Sequence, residues 1–231
     1  MRIAFAAFAA VSLIALPLLR QSDELRDIPL IEIPALAGGD STTLALFMSG
    51  DGGWAATPTH VTKYLAAHGV AVAGINMRAY LSKERTPEGV ASDMSRVLNH
   101  YLAAWHRERI IVIGYSRGAD IAPFVVGRLS AELRKRVALL VMLGIAKSAN
   151  FEFHLIDLIR DVERPSDRPT APELERLRGL PMLCFYGTEE DNSACRTADS
   201  TLVTRIARTG GHQIKADFDV IGAAILRAMP R

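Results

Sequence analysis

Short, uninterrupted apolar runs most restrict how this chain of 231 residues can fold. The run at residues 109–114 (Arg-Ile-Ile-Val-Ile-Gly) has the length of a strand and no polar alternation, and residues 137–143 and 182–186 repeat the pattern. Such strands are typical of a parallel sheet that helices cover on both faces. Because helical segments separate these runs along the chain, we predict an α/β domain with a mostly parallel, doubly wound sheet.

The remaining elements follow from hydrophobic periodicity and from turn residues. Strands are predicted at residues 30–34, 43–48, 70–75 and 203–207, and helices at residues 61–68, 86–105, 121–129 and 218–229. Residues 145–180 have mixed composition, and we predict an irregular crossover or a short lid there.

A separate apolar run occupies the N-terminus. Within residues 3–19 only Ser12 and Pro17 fall outside the hydrophobic set, Arg2 precedes the run, and polar residues follow it. This pattern is typical of a secretory leader and is long enough for an uncleaved anchor. A buried N-terminal helix is the alternative, but the run has no polar stripe. We predict a leader or anchor at residues 1–22, a single domain at residues 23–231 and a location outside the cytoplasm.

Composition excludes several classes of function. Lys and Arg number 27 against 25 Asp and Glu, so no basic surface for nucleic acid is expected. The six histidines are scattered and show no zinc-binding spacing with the two cysteines, so we predict neither a metal nor a cofactor. In an oxidising compartment Cys184 and Cys195 could form a disulfide, and two unpaired buried thiols are the alternative.

The pentapeptide at residues 114–118, Gly-Tyr-Ser-Arg-Gly, carries the main chemical signal. It has the form G-x-S-x-G and lies between a predicted strand and a predicted helix, which is the context of a nucleophile elbow. Glycines on either side allow the tight turn that projects the serine hydroxyl above the sheet edge. We predict that Ser116 is a nucleophile; a structural serine in an ordinary glycine-rich turn is the alternative.

The general base is expected late in the chain, between the last strand and the last helix. His212 lies there, after Gly210 and Gly211, which fits the chain order Ser, acid, His. His154, in the crossover, is the other histidine that follows the serine.

The acid of the triad is expected on the loop after residues 182–186. Glu189, Glu190 and Asp191 compete there. We favour Asp191 because its short side chain is the usual orienter of the imidazole, and Glu190 remains open. Asp157 and Asp161, after the preceding strand, are less favoured.

A glycine-rich loop at residues 49–54 (Ser-Gly-Asp-Gly-Gly-Trp) follows an early apolar strand. Backbone amides there could form half of an oxyanion hole, with the amide of Arg117 as the other half. Asp51 is the favoured donor and Gly52 the next. A plain glycine-rich turn is the alternative, and a phosphate-binding P-loop is excluded because no G-K-[ST] follows.

Together these motifs resemble the bacterial virulence-protein family of VirJ and AcvB, within the α/β-hydrolase superfamily. The matching pieces are, in chain order, residues 49–54, 85–89 leading into Asp93, 114–120, 186–195 and 210–212. The resemblance implies an α/β-hydrolase fold and a periplasmic serine hydrolase. Trp54, Tyr115 and Asp120 lie in these motifs and are the candidates for substrate binding.

The resemblance also implies a substrate class. Members like AcvB release lysine from lysyl-phosphatidylglycerol, and members like VirJ are linked to type IV secretion as periplasmic partners. A membrane phospholipid is therefore the expected substrate, with a noncatalytic secretion partner or a general carboxylesterase as alternatives. A lysyl group would need carboxylates nearby, for which Asp51, Asp120 and Glu88 are candidates. Acyl chains could contact the apolar crossover residues Phe151, Phe153, Leu155 and Ile156.

Overall fold

One sheet organises the part of the chain that the computed structural model describes, residues 23–36, 38, 42–159, 162–212 and 218–229. Its strands, with two short ones outside the sheet, are β1 (Leu30–Ile33), β2 (Thr43–Met48), β3 (Ala71–Ile75), β4 (Arg109–Tyr115), β5 (Val137–Leu143), β6 (Ser148–Ala149), β7 (Arg168–Pro169), β8 (Met182–Gly187) and β9 (Thr204–Arg208). Seven of these described strands form the sheet, in the order β1-β3-β2-β4-β5-β8-β9. All its pairings are parallel except that of the edge strand β1 with β3. The predicted mostly parallel sheet is confirmed.

The central strand β4 shows why the apolar runs predict this fold. Ile110 and Val112 point into one hydrophobic core, and Ile111 and Ile113 point into the other. All four side chains are fully buried. Because successive residues of a strand face opposite sides of the sheet, a strand covered on both faces needs an apolar residue at every position.

Helices cover the two faces. They are α1 (Ala56–Ala67), α2 (Met77–Tyr80), α3 (Pro87–Ala104), α4 (Arg117–Arg128), α5 (Ala131–Arg136), α6 (Ala171–Arg176) and α7 (Phe218–Ala228). α3 and α4 contribute to one core, whereas α1 and α7 contribute to the other. The fold is that of an α/β-hydrolase.

The crossover after β5 is irregular, as predicted, but it contains one short pair of strands. β6 pairs antiparallel with β7, and the described residues between them, 150–159 and 162–167, are here called the lid. Within the lid, Leu155–Leu158 form a short 3-10 turn. The lid is attached to the body by the amide of Phe153, which donates to the carbonyl of Leu81 (2.7 Å), and by the amide of Arg85, which donates to the carbonyl of Phe151 (3.0 Å).

Several boundaries differ from the predicted ones. α1 begins at Ala56 and α4 at Arg117, each several residues earlier than the apolar periodicity indicates. The short helices α2 and α5 were not predicted, because four to six residues are too few to show a period. The predicted leader or anchor lies in residues 1–22, outside the described residues. No helix of the described part of the chain combines the length and the apolar composition needed to cross a bilayer.

Candidate active site

Ser116 stands on a sharp turn between β4 and α4. Its backbone has φ +53° and ψ −122°, a conformation that residues with a side chain rarely adopt. The flanking glycines permit the turn because neighbouring backbone leaves no room for a side chain. A Cβ on Gly114 would lie 2.3 Å from the carbonyl oxygen of Gly118, and one on Gly118 would lie 2.1 Å from that of Met48. The predicted nucleophile elbow therefore has the required geometry.

His212 lies beside Ser116, although the two are far apart in the chain. Nε2 of the imidazole is 2.7 Å from Oγ of Ser116. Two glycines make space for the histidine loop: a Cβ on Gly144 would lie 3.2 Å from Cε1 of His212, and one on Gly187 would lie 2.3 Å from the carbonyl oxygen of Gly211. The other histidine after the serine, His154, pairs instead with Glu152 in the lid (3.4 Å).

The third member of this chain of contacts is Glu190, which corrects the prediction of Asp191. Oε1 of Glu190 lies 2.5 Å from Nδ1 of His212, and its side chain is 7% exposed. The carboxylate of Asp191 is 99% exposed and faces Arg196 (3.4 Å). A turn closed by the amide of Glu190 and the carbonyl of Gly187 directs residue 190 inward and leaves residue 191 on the outside.

The contacts of Glu190 also determine the protonation pattern of the imidazole. Oε2 of Glu190 accepts a hydrogen bond from the amide of Gly187 (3.2 Å), which holds the carboxylate in place. A carboxylate only accepts hydrogen bonds, so Nδ1 of His212 carries the proton and Nε2 is free to accept from the hydroxyl of Ser116. This is the arrangement that a general base needs.

The other predicted acids do not reach the histidine. Glu189 is exposed, and Asp157 binds Arg117 (3.0 Å) and Arg164 (2.7 Å). Asp161 lies outside the described residues.

A disulfide joins Cys184 in β8 to Cys195, with their Cα atoms 5.6 Å apart. Of the two alternatives open from the sequence, the structure contains the bridged form. The loop that carries Glu190 runs from the end of β8 to Cys195, and the disulfide ties the far end of this loop back to β8. The amide of Ala194 donates to the carbonyl of Ile145 (2.9 Å) and fixes the far end of the same loop.

The glycine-rich loop at residues 49–54 touches the nucleophile. A Cβ on Gly50 would lie 2.8 Å from Cβ of Ser116, so the backbone before Asp51 is in direct contact with the elbow. A Cβ on Gly52 would meet nothing within 4 Å. Asp51, Gly52 and Arg117 stay predictions as oxyanion donors, and the close contact at Gly50 favours the amide of Asp51.

The three predicted substrate-binding residues have different surroundings. The ring of Tyr115 is half-buried, with its centroid 6.5 Å from that of His212, so it borders the site. Trp54, the last residue of the glycine-rich loop, packs instead against the sheet: it lies edge-to-face with Phe47 (5.6 Å), and its ring occupies the space beside Gly74. Its position is that of a packing residue.

Asp120 is buried, and its Oδ1 accepts a hydrogen bond from the amide of Ala146 (2.7 Å). Burial raises the pKa of Asp120 to about 7, against the opposing effects of Arg117, this hydrogen bond and His212. The carboxyl holds the segment after β5, and Asp120 stays a prediction as a substrate-binding residue.

The remaining carboxylates proposed for a lysyl group are also engaged by the protein. Asp51 binds Arg117 (3.0 Å), and Glu88 binds Arg128 (3.0 Å). Of the predicted acyl-chain contacts, Phe151 is buried against Phe124, whereas Leu155 and Ile156 are exposed.

The side chain of Arg117 was missed as a functional candidate, since only its amide was considered. Its charge contacts come from residues far away in the chain, and no local pattern indicates them. Among the described residues, no group of three or more His, Cys, Asp and Glu side chains could hold a metal ion.

Comparisons with known proteins agree with the fold. The sequence profile of the bacterial virulence protein family (VirJ) matches residues 42–231. Similar solved structures include MenH from S. aureus, which is 12% identical, with a TM-score of 0.64 over 86% of this chain and 97% of that one. An alpha-beta serine hydrolase homologue from Coxiella burnetii is 14% identical, with a TM-score of 0.60 over 87% and 91%. Est1E from Butyrivibrio proteoclasticus is 11% identical, with a TM-score of 0.58 over 86% and 92%. These similarities show the fold. No curated protein sequence matches significantly.

Proposed function

The chain belongs to the bacterial virulence protein (VirJ) family, and from this premise we propose that it is a periplasmic serine hydrolase that cleaves the aminoacyl ester of a phospholipid such as lysyl-phosphatidylglycerol. The observation that carries the proposal is the continuous chain of contacts from Ser116 through His212 to Glu190. A serine, an imidazole and a buried carboxylate in this order are the parts of an acyl-transfer enzyme.

The reaction follows from these contacts. Oγ of Ser116 attacks the ester carbonyl while Nε2 of His212 takes the hydroxyl proton, and Glu190 stabilises the imidazolium that forms. The amides of Asp51 and Arg117 stabilise the negative charge on the carbonyl oxygen. The intermediate then collapses, the C–O bond to the alcohol breaks, and His212 gives its proton to the departing alcohol. His212 then takes a proton from a water molecule that attacks the acyl-enzyme, and it gives this proton to Oγ of Ser116 as the ester bond breaks and the amino acid leaves.

Two features support a lipid substrate. The lid presents exposed apolar side chains, Leu155, Ile156, Leu158 and Ile159. Its Asp157 binds Arg117, the residue after the nucleophile, so this apolar surface lies next to the site. Asp51, Asp120 and Glu88 stay the candidates for recognising the amino group of the substrate, and each already has one partner within the protein.

The disulfide supports the proposed location. Cys184 and Cys195 are bridged in the structure, and such bonds persist in oxidising compartments such as the bacterial periplasm. Fractionation of cells that produce the full chain tests this point: recovery in the cytoplasmic fraction with reduced thiols would contradict it.

A fluorophosphonate probe tests the serine hydrolase. We expect labelling of the wild-type protein and of Ser95→Ala, whose serine hydroxyl only donates to a carbonyl within α3. Ser116→Ala should not be labelled, although it should fold. Absence of labelling in folded wild-type protein would contradict the enzyme and favour the noncatalytic secretion partner.

Vesicles identify the substrate class. Wild-type protein should release free lysine from vesicles that contain lysyl-phosphatidylglycerol, and Ser116→Ala should release none. If the labelled enzyme hydrolyses soluble p-nitrophenyl esters but releases no lysine, the general carboxylesterase is the better description.

A further inference from the structure

The side chain of Arg117 lies between two carboxylates from different parts of the fold. Its Nε and Nη2 approach the carboxylate of Asp51 at 3.2 and 3.0 Å, and Nη2 is also 3.0 Å from Oδ2 of Asp157. All three side chains are largely withdrawn from water, with exposed fractions of 12%, 15% and 3%. The Coulomb attraction within such contacts is stronger than within exposed ion pairs, because water screens it less.

A second arginine completes the group. Arg164 of the lid donates from both terminal nitrogens to Asp157, at 2.7 and 3.1 Å. The positive charges of the two arginines therefore equal the negative charges of Asp51 and Asp157 in number. Burial disfavours the charge of Arg117, but Asp51, Asp120 and Asp157 outweigh this effect, so the pKa of Arg117 lies above its usual value. The four residues, here called the ion cluster, join the nucleophile elbow, the glycine-rich loop and the lid.

The ion cluster connects the two candidate oxyanion donors to each other. The amides of Asp51 and Arg117 are the proposed donors, and the side chains of the same two residues are bonded. The spacing between the amides therefore depends on the guanidinium as well as on the backbone. An oxyanion hole stabilises charge only if both donors are fixed at the right distance from the developing oxyanion.

We propose that the guanidinium of Arg117 is a positioning residue, which fixes the amide of Asp51 relative to the nucleophile, and that Asp157 of the lid keeps this guanidinium in place. The lid thereby contributes to the reaction of every ester, including small ones that it does not contact. This inference rests on the proposed serine hydrolase and adds a role for the side chains of the ion cluster.

The chain contains a matched control at the other end of the same helix. Arg128, the last residue of α4, also lies between two carboxylates, with Glu88 and Glu173 each at 3.0 Å. Neither acid contacts the candidate active site. Loss of Arg128 therefore removes an ion-pair group of the same kind without affecting the oxyanion donors.

The experiment compares Arg117→Gln and Arg117→Lys with Arg128→Gln, using p-nitrophenyl acetate hydrolysis and the rate of fluorophosphonate labelling. Arg117→Gln should lower kcat by about 10- to 100-fold with KM changed less than about 3-fold, because a displaced donor weakens transition-state stabilisation. Arg117→Lys should restore part of kcat, because an ammonium keeps the charge but not the two-sided contact. Arg128→Gln should lower the melting temperature and leave kcat unchanged.

Asp157→Asn separates positioning from an ordinary lid contact. A lid residue that only touches acyl chains would leave kcat for p-nitrophenyl acetate unchanged, whereas the proposal predicts that kcat falls. Melting curves show whether each variant is folded. Arg117→Lys tests the contact between residue 117 and Asp157 with the positive charge retained.

If Arg117→Lys and Asp157→Asn both fold and keep the wild-type kcat, the positioning role is wrong. Labelling of Ser116 by the probe would still support the serine hydrolase in that case. Equal losses of kcat in Arg117→Gln and Arg128→Gln would also overturn the positioning role, since the effect would then be one of stability. A wild-type protein that is folded but inert to the probe would overturn both proposals.

Discussion

Glu190 directs its carboxylate onto Nδ1 of His212, whereas its neighbour Asp191 directs its own into solvent. Of three consecutive acids on one loop, only Glu190 can hold the imidazole in the tautomer that accepts the proton of Ser116. The assignment predicts opposite results for substitutions at adjacent positions.

Glu190→Gln should reduce kcat by between about 100- and 10,000-fold, because an amide can donate to Nδ1 and favour the wrong tautomer. Asp191→Asn should leave kcat within about 2-fold of the wild type, as expected for an exposed side chain outside the site. Steady-state kinetics on a soluble ester measure both. The reverse order of effects would return the role to Asp191.

Replacing both cysteines, as in Cys184→Ala with Cys195→Ala, should lower the free energy of unfolding by about 2–3 kcal/mol, because the reduced chain gains conformational freedom when unfolded. It should also lower kcat, because the bridge holds the loop that carries Glu190. Urea unfolding and ester kinetics provide the measurements. Dithiothreitol should act similarly on the wild type and leave the double variant unchanged; equal sensitivity of both proteins would contradict the explanation.

Gly74→Ala should destabilise the protein by about 1–3 kcal/mol, since the added methyl group would overpack the core. A Cβ at this position would lie 2.2 Å from Cη2 of Trp54, so the indole has to move. Urea unfolding followed by tryptophan fluorescence reports both the stability and the environment of Trp54. Gly52→Ala, where a Cβ meets nothing within 4 Å, should change the stability by less than about 0.5 kcal/mol. Equal stability of the two variants would mean that Trp54 is not packed against β3.

Asp120 should make the folded protein less stable as the pH rises. Burial raises its pKa to about 7 in the folded state, well above the value near 4 of an unfolded chain. The folded state therefore binds one proton more than the unfolded state between these values. The contribution of Asp120 to stability is fully present below pH 4 and is lost as the pH rises to about 7.

Asp120→Asn removes this dependence because an amide stays neutral. Between pH 4 and 7 the stability of the wild type should fall relative to that of the variant by at most about 1.4 kcal/mol per pH unit. The titratable groups that face Asp120 are Arg117, His212 and Asp51, and all three remain in the variant. Urea unfolding at pH 5 and pH 8 gives the difference. Parallel pH profiles of the two proteins would show that Asp120 does not titrate in this range.

Most of the fold could be predicted because its signals are local. An apolar residue at every position of β4, or the i, i+3, i+4 pattern of α3, reflects which sides of an element are covered, and neighbours in the chain carry this information. The antiparallel direction of β1 and the short pairing of β6 with β7 have no such signal. Pairing direction depends on how connections run across the sheet, and two-residue strands show no periodicity.

The sequence by itself determined the parts of the site that depend on turn chemistry and chain order. Ser116 between two glycines at the end of a buried strand, and His212 after the last strand, can be read from neighbouring residues and from their order. Only the tertiary structure decided which acid meets His212, that Trp54 packs against the sheet, and that Arg117 joins Asp51 to the lid. The physical reason is that the direction of a loop side chain is set by turn hydrogen bonds and by charges distant in sequence, and these meet only once the sheet has brought its strand ends together.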